Sequence, residues 1–388
     1  MSLDTSKLNK HDEIYHQLTY DILTSKLFNF RQADRVVIDT MGVFGNQVEY
    51  DLSDGTIPLS NTKNIGYKTQ VKPEVVGFLR NENNLKWYLE QGMTIWSNNA
   101  FEFYRKKLDD NHPWKKLQKD SREFNEAVPE FEALVMSGKD PKAGDLGEFY
   151  PKQWRSFKGV KEIEGKDPEI VYVDQLQNLV DTMIKSPTSR YGLVTAWNPF
   201  DVKAGTAALA PCHCLFQTYR YKDVEGEERL DLKLTQRSAD HLLGVAFNAP
   251  QYAIVTAVIA DLVGAKPGRF IHSFGDLHLY IGHSGSDRAN WYKDANNVGW
   301  LQKELKEKNP NDVLENLLDR LPAEKIPGYD HVPYAIQQLG RVSNAEPAKL
   351  EVTVNNLNDI TVNDVKVKDY VRAPKLKLYG DVTPKMAS

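Results

Sequence analysis

The stretch that decides the fold reads Ala210-Pro211-Cys212-His213-Cys214-Leu215-Phe216-Gln217, followed about twenty residues on by Gln236-Arg237-Ser238-Ala239-Asp240. The first places a thiol in an apolar, strand-like run. The second supplies an arginine able to stabilise a thiolate and bind an anion. A free cysteine is only a few per cent thiolate at neutral pH, and a nearby cation lowers its pKa. The pair points to covalent catalysis on a phosphorylated substrate. Without such a partner, a free cysteine more often packs as a small hydrophobe than reacts. A metal site at Cys212, His213 and Cys214 is disfavoured. Strand alternation sends His213 to the face opposite both cysteines, and zinc sites generally use wider spacing and a second ligand pair.

Working outward, the chain has 388 residues, 41% apolar and 26% charged, with a net charge of −4. This is ordinary for a globular protein with a sizeable core. The charge balance gives no broad reason to bind nucleic acid or anionic membrane, and no basic, aromatic-interleaved patch is present. No apolar run approaches the roughly 20 residues that span a bilayer. Met1 to Lys10 is polar, without the apolar centre of a secretion signal. Two cysteines one residue apart offer no disulfide framework, so a reducing cytoplasm is the expected setting.

Residues 11–28 carry Ile14, Leu18, Ile22 and Leu23 on one helical face. Val36 to Leu52 looks like paired strands, punctuated by Gly42, Gly45 and Ser53-Asp54-Gly55. A helix is expected from Pro73 through Leu79, and another over residues 170–185, where Val173, Leu176, Leu179, Val180 and Met183 fall at helical spacing. Strands are expected at 193–197, 209–221 and 229–236, then a long apolar helix from about 239 to 263. Leu350 to Val354 and Val365 to Val367 return to strand chemistry. Residues 105–145 and 284–328 read as charged, helix-prone insertions with solvated surfaces. The whole reads as one mixed α+β domain over residues 1–388 with an extended tail.

Further strings occur in order: Asp34-Arg35, Thr94-Ile95-Trp96, Asp145-Leu146-Gly147, Tyr150-Pro151-Lys152-Gln153-Trp154-Arg155, Ser189-Arg190 and Thr195-Ala196-Trp197-Asn198. After the cysteine and arginine stretches come Gly244, Phe247-Asn248 and Gly275-Asp276-Leu277-His278-Leu279-Tyr280. In joint order and spacing they resemble the thymidylate synthase superfamily over most of residues 12–283 and, weakly, over the last forty. The resemblance implies a homodimer of mixed α+β subunits with sheets packed back to back. It also implies a pyrimidine 5′-monophosphate substrate such as dUMP, and 5,10-methylenetetrahydrofolate as one-carbon donor.

On that resemblance Cys212 is the thiolate that adds to uracil C6, turning C5 into a nucleophile. Arg237 would hold the phosphate and lower the thiol pKa, with Arg35 and an Arg190 contributed across the interface completing the clamp. Gln236 and Ser238 belong to the same nucleotide-binding run. Arginine suits phosphate because its planar fork pairs bidentately with the oxygens. Asn248 would read the base, its amide matching the O4 and N3–H edge of uracil; an Asp there would favour cytosine. His278 and Tyr280, sharing a strand face, would hydrogen-bond the sugar. Asp240 would hold the pterin ring, with Trp96 and Gly244 lining the folate pocket. Glu74 would serve as general acid and base through ordered water, and Tyr150 would help remove the C5 proton.

Three departures from the methylating enzymes bear on the last step, where hydride from the folate gives methyl and water gives hydroxymethyl. Ser97-Asn98-Asn99 stands where a second tryptophan is usual, Tyr191 follows Arg190 in place of an arginine, and the tail from Tyr370 runs on to Ser388. A polar Asn99 could admit water. These features favour a deoxyuridylate hydroxymethylase of the kind found in viruses that replace thymine, acting in a host cytoplasm, with thymidylate synthase as the alternative.

Overall fold

The longest strand organises the sheet, and the sequence explains why its two halves take different neighbours. The computed structural model describes residues 5–32, 37–119, 121–324 and 326–386. Its strands are β1 (Asn29–Arg31), β2 (Ile38–Phe44), β3 (Gln47–Asp51), β4 (Phe157–Lys161), β5 (Glu169–Val173), β6 (Leu193–Thr195), β7 (His213–Lys222), β8 (Glu228–Asp240), β9 (Lys266–His283), β10 (Lys349–Val352) and β11 (Val365–Lys368). The main sheet runs β1-β2-β9-β8-β7-β6, with β3 also beside β9. The first half of β9 pairs antiparallel with β3 (Tyr50 opposite Phe270), and the second half with β2 (Gly42 opposite His278). A tight turn at Gly45, with φ of 86°, lets β2 and β3 share that edge.

On its other side β9 runs parallel to β8, with Asp240 in register with His278. Parallel neighbours need a long crossover, and the helix Ala246–Leu262 supplies it. Gly275 allows the close approach: a Cβ there would lie 2.8 Å from the Arg237 carbonyl oxygen. The architecture is therefore mixed α+β, with a mixed sheet packed against helices.

Leu232, Leu234 and Gln236 turn inward along β8, while Lys233 and Thr235 turn outward. The inward side meets the crossover helix, whose residues Ala249 to Ala260 are all buried. By length and apolarity, His241–Leu262 would pass for a membrane span, yet 78% of its most apolar window is buried in the protein. This corrects the expectation that no such stretch exists. Asn248 and Gln251 interrupt the apolar letters, and both serve the site.

Other expectations shift for equally local reasons. Residues 170–173 belong to β5, and the helix starts only at Gln175, where the Asp174 side chain caps the Gln177 N–H. Strand β7 begins at His213, so Cys212 occupies the bend before it. The segment 105–145 is not merely a solvated face: its helix Arg122–Ser137 sends Phe124, Phe131 and Val135 into the main core. Residues 284–328 form helices Asp287–Lys293, Ala295–Glu307 and Pro310–Arg320. Their Tyr292, Leu301, Leu305, Val313 and Leu317 build a second buried cluster with Leu18, Ile22 and Met41.

Candidate active site

Cys212 sits half-buried at the mouth of β7, immediately after the buried Pro211. Its backbone N–H donates to the Tyr150 hydroxyl at 2.7 Å, and the His213 N–H reaches the same oxygen at 3.3 Å. The Arg237 N–H donates to the Cys212 carbonyl at 2.9 Å. Farther along the side chain, Arg237 Nε bonds the Pro211 carbonyl at 2.7 Å and Nη2 the Ala210 carbonyl at 3.1 Å. The same Nη2 lies 3.8 Å from Cys212 Sγ, and the guanidinium rests over Trp197. Thiol and cation are thus held together by the loop that carries the thiol.

The expected fall in the thiol pKa is not met. Burial pushes the Cys212 thiol up, Arg237 pulls it down, and burial prevails. The physical reason is that Arg237 faces two carbonyls at hydrogen-bonding range and the sulfur only at a longer one.

Inward from the thiol, a file of polar side chains crosses the core. His272 Nε2 lies 2.7 Å from Gln236 Oε1, and Gln236 Nε2 donates to Asn248 Oδ1 at 3.1 Å. Asn248 Nδ2 donates to Gln251 Oε1 at 3.2 Å, and Gln251 Nε2 donates in a short contact to the Glu74 carboxylate. Glu74 is buried on the helix Lys72–Leu79. Burial drives its pKa up to about 7, against the lowering pull of Gln251 and Trp96. A carboxyl poised near neutrality suits proton transfer in either direction.

Asp240 ends β8 and caps the following turn, its Oδ1 accepting from the Leu242 and Leu243 N–H groups. Its Oδ2 is buried without a hydrogen-bond partner. Burial alone would raise the carboxyl, but the His331 imidazole 3.5 Å away, His278 and the Leu243 N–H together outweigh it and hold the pKa below its ordinary value. Gly244 leaves open floor between Asp240 and Asn248: a Cβ there would stand 3.6 Å from each side chain. His278 and Tyr280 do share a face, their rings stacked at 5.8 Å. Trp96 packs edge-on against Phe149, its buried indole N–H turned towards the Glu74 carboxyl without completing a hydrogen bond.

Most sequence-selected residues therefore converge: Cys212, Arg237, Tyr150, Asn248, Gln236 and Glu74 on one side, Asp240, Gly244, His278 and Tyr280 on the other. Ser238 contributes a carbonyl that accepts from Gln236 Nε2 at 3.0 Å. Arg190 stays exposed before β6, its carbonyl bonded by Gln217. Arg35 lies outside the described residues. Sequence reasoning missed Gln251, His272 and His331. Gln251 had a signal, a second amide three residues beyond Asn248 in an apolar helix; His331 had none. Among the described residues no group of three or more His, Cys, Asp or Glu could hold a metal ion.

The family profile described as Thymidylate synthase matches residues 13–381. A protein named thymidylate synthase from Staphylococcus haemolyticus is 36% identical over 288 residues, covering 71% of this chain and 84% of its own length. One of the same name from Mycoplasma genitalium is 36% identical over 256 residues, covering 65% of this chain and 77% of its own. These relatives overturn the hydroxymethylase expectation and lend no support to the viral setting attached to it. The departures behind it have local explanations. Tyr191 is 88% exposed, the tail folds back on the 326–339 segment through Tyr334 and the Gly328 carbonyl, and Asn99 sits in the first turn of the helix Ser97–Arg105.

Proposed function

The chain belongs to the thymidylate synthase family of one-carbon transferases, whose co-substrate is methylenetetrahydrofolate, and from that premise we propose that it converts dUMP to dTMP. The observation that carries the reading is the Cys212 thiol beside Arg237, with Asn248 tied to the buried carboxyl of Glu74. The chemistry needs each part. Cys212 Sγ adds to C6 of the base, C5 attacks the folate methylene carbon, and the C5 proton leaves. The folate then departs from the exocyclic methylene and returns a hydride to it. Expulsion of Sγ gives dTMP and dihydrofolate.

Arg237 would also meet the phosphate through the guanidinium donors that the Pro211 and Ala210 carbonyls do not take, while its Nη2 stays beside the thiolate. Glu74 can donate to O4 as the enolate forms and take the proton back afterwards. Tyr150, whose hydroxyl accepts from two backbone N–H groups, retains its own proton; burial lifts its pKa far above 10, so it would relay protons as a phenol. On the folate side, the unpartnered Asp240 Oδ2 and open floor at Gly244 suit a ring with N–H donors. Trp96 would flank it, and His278 and Tyr280 would meet the sugar.

The outward sheet face carries Tyr219, 63% exposed, and Leu193, 42% exposed. That supports a back-to-back dimer, which would let Arg190 act on the partner's phosphate; Arg35 would complete the clamp. One domain with two insertions suits this assembly, and two unpaired thiols suit a reducing cytoplasm. The test is direct. Mixed with dUMP and methylenetetrahydrofolate, the protein should form thymidylate and dihydrofolate in equal amounts; one-carbon transfer without dihydrofolate would sink the reading.

A further inference from the structure

We propose that Gln251 is a specificity-determining, positioning residue: its amide locks the base-reading amide of Asn248 in one orientation and, separately, supplies the hydrogen bond that holds Glu74. This inference deepens the dUMP reading above and rests on it.

The argument begins with a weakness of asparagine. Its side chain presents one donor edge and one acceptor edge. In one orientation it complements uracil, whose O4 accepts and whose N3–H donates. Turned by half a rotation, it complements cytosine, whose amino group donates and whose N3 accepts. An unconstrained Asn248 would therefore read both bases, so discrimination requires that something prevent the turn.

The file of side chains does so by chemistry at its ends. Whenever Glu74 is ionised its carboxylate only accepts, so Gln251 turns Nε2 towards Glu74 and Oε1 towards Asn248. Asn248 must then donate through Nδ2 and offer Oδ1 to Gln236. Gln236 in turn shows Oε1 to His272. That histidine is wholly buried, with burial holding its pKa far below 6.5, and because the Ser238 carbonyl also claims Gln236 Nε2, Oε1 is left to accept from Nε2 of the neutral ring. Flipping Asn248 alone would set donor against donor at Gln251 and acceptor against acceptor at Gln236, in a buried setting where an unmade hydrogen bond is costly. Tyr88, Tyr252 and the Trp96 indole also face Glu74, but none of them reaches Asn248 by a hydrogen bond. His213 also bonds Asn248, but among the described residues Gln251 alone joins Asn248 to Glu74.

Two substitutions separate its two bonds. Gln251→Met keeps the length and removes both. Gln251→Glu keeps an acceptor for Asn248 Nδ2 but loses the donor to Glu74 whenever both carboxyls are ionised. Equilibrium binding of dUMP and dCMP to the full chain, with turnover on dUMP, reads both functions. With Gln251→Met, the preference for dUMP over dCMP should fall about tenfold, the scale of one lost buried hydrogen bond. With Gln251→Glu that preference should persist, while turnover falls at high pH and recovers as pH drops and one proton is shared between the carboxyls. An unchanged preference in Gln251→Met, or its loss in Gln251→Glu, would overturn the inference with the dUMP reading intact. A parent protein that binds neither nucleotide would overturn both.

Discussion

The floor of the site and the cap above it are built on opposite plans. The floor, from β7, β8, the helix Lys72–Leu79 and the crossover helix, ties its functional groups directly to one another by hydrogen bonds. The cap consists of the inserted helices between Asp287 and Arg320, the helix Val332–Leu339 and the tail. It shares a buried apolar cluster with β9 and with Ala239, Leu242 and Val245 at and just beyond the end of β8, and its polar contact with the site runs through His331, against Asp240 and Tyr280. A tail contact, Tyr280 Oη to Met386 Sδ at 3.8 Å, adds to this. A floor of this kind transmits any loss straight into chemistry. A cap of this kind should tune ligand binding at one remove.

The sharpest break in that contrast comes from the floor. Cys212→Ala should lower kcat by about 10⁴-fold or more, as expected when the covalent nucleophile is lost, with dUMP affinity changed only a few-fold. Rapid quench and equilibrium binding check the two halves. A variant with substantial turnover would remove the thiol from the mechanism.

Glu74→Gln comes next, with opposite effects on rate and stability. Loss of the acid–base group should cost roughly 10² to 10⁴ in kcat. The carboxyl has a folded-state pKa of about 7 against an ordinary 4.5. Its contribution to stability is therefore fully present below pH 4.5 and lost as pH rises through 7. A full shift of this size corresponds to about 3 kcal/mol. Relative to the parent, the amide variant should gain stability between pH 5 and pH 8. Thermal unfolding at those two pH values measures it, and an equal offset at both would contradict the buried-carboxyl account.

In the cap the order reverses, with stability affected and chemistry spared. Leu317 is fully buried in the inserted cluster, so Leu317→Ala should destabilise by about 2–5 kcal/mol. At a temperature where the variant stays folded, kcat for dTMP formation should remain within about threefold of the parent, because no floor hydrogen bond is touched. A large fall in kcat with the fold intact would mean that the cap is part of the floor.

The same contrast explains what could be read from the letters. Cys212, Arg237, Asn248, His278 and Tyr280 were legible because the short strings that hold them resemble the thymidylate synthase superfamily in joint order and spacing, and the structure brings them together. The direction of the Cys212 shift was not, because burial by distant segments outweighs the arginine that the sequence does show. The inserted helices looked like solvated charge because their apolar residues are sparse. Val298, Leu301 and Leu305, then Val313 and Leu317, nevertheless make narrow stripes that meet only when the segment folds against the helix Lys10–Thr24. His331 carried no local pattern at all. Its role depends on three elements brought together by the chain's long return.

That return gives the smallest and most specific prediction. His331 is wholly buried, its backbone N–H bonding the Tyr280 carbonyl at 2.8 Å and its ring packed 4.5 Å from the Tyr280 ring. Nε2 donates to the Lys385 carbonyl at 3.0 Å, so it is Nδ1 that faces the Asp240 carboxylate at 3.5 Å. Attraction to this imidazole is one of the pulls that lower the Asp240 pKa against burial. His331→Phe keeps the ring on Tyr280 and removes both nitrogens. Burial of Asp240 is then opposed mainly by His278 and the Leu243 N–H, so its carboxyl should protonate at higher pH than in the parent. The KM for methylenetetrahydrofolate should rise about tenfold, roughly one lost charge-assisted contact, and the rise should steepen as pH falls. Affinity for dUMP should hold, since no floor hydrogen bond involves this ring. Equal losses for nucleotide and folate would show that His331 supports the fold as a whole, whereas a loss confined to the folate would show the cap acting on Asp240 across this one contact.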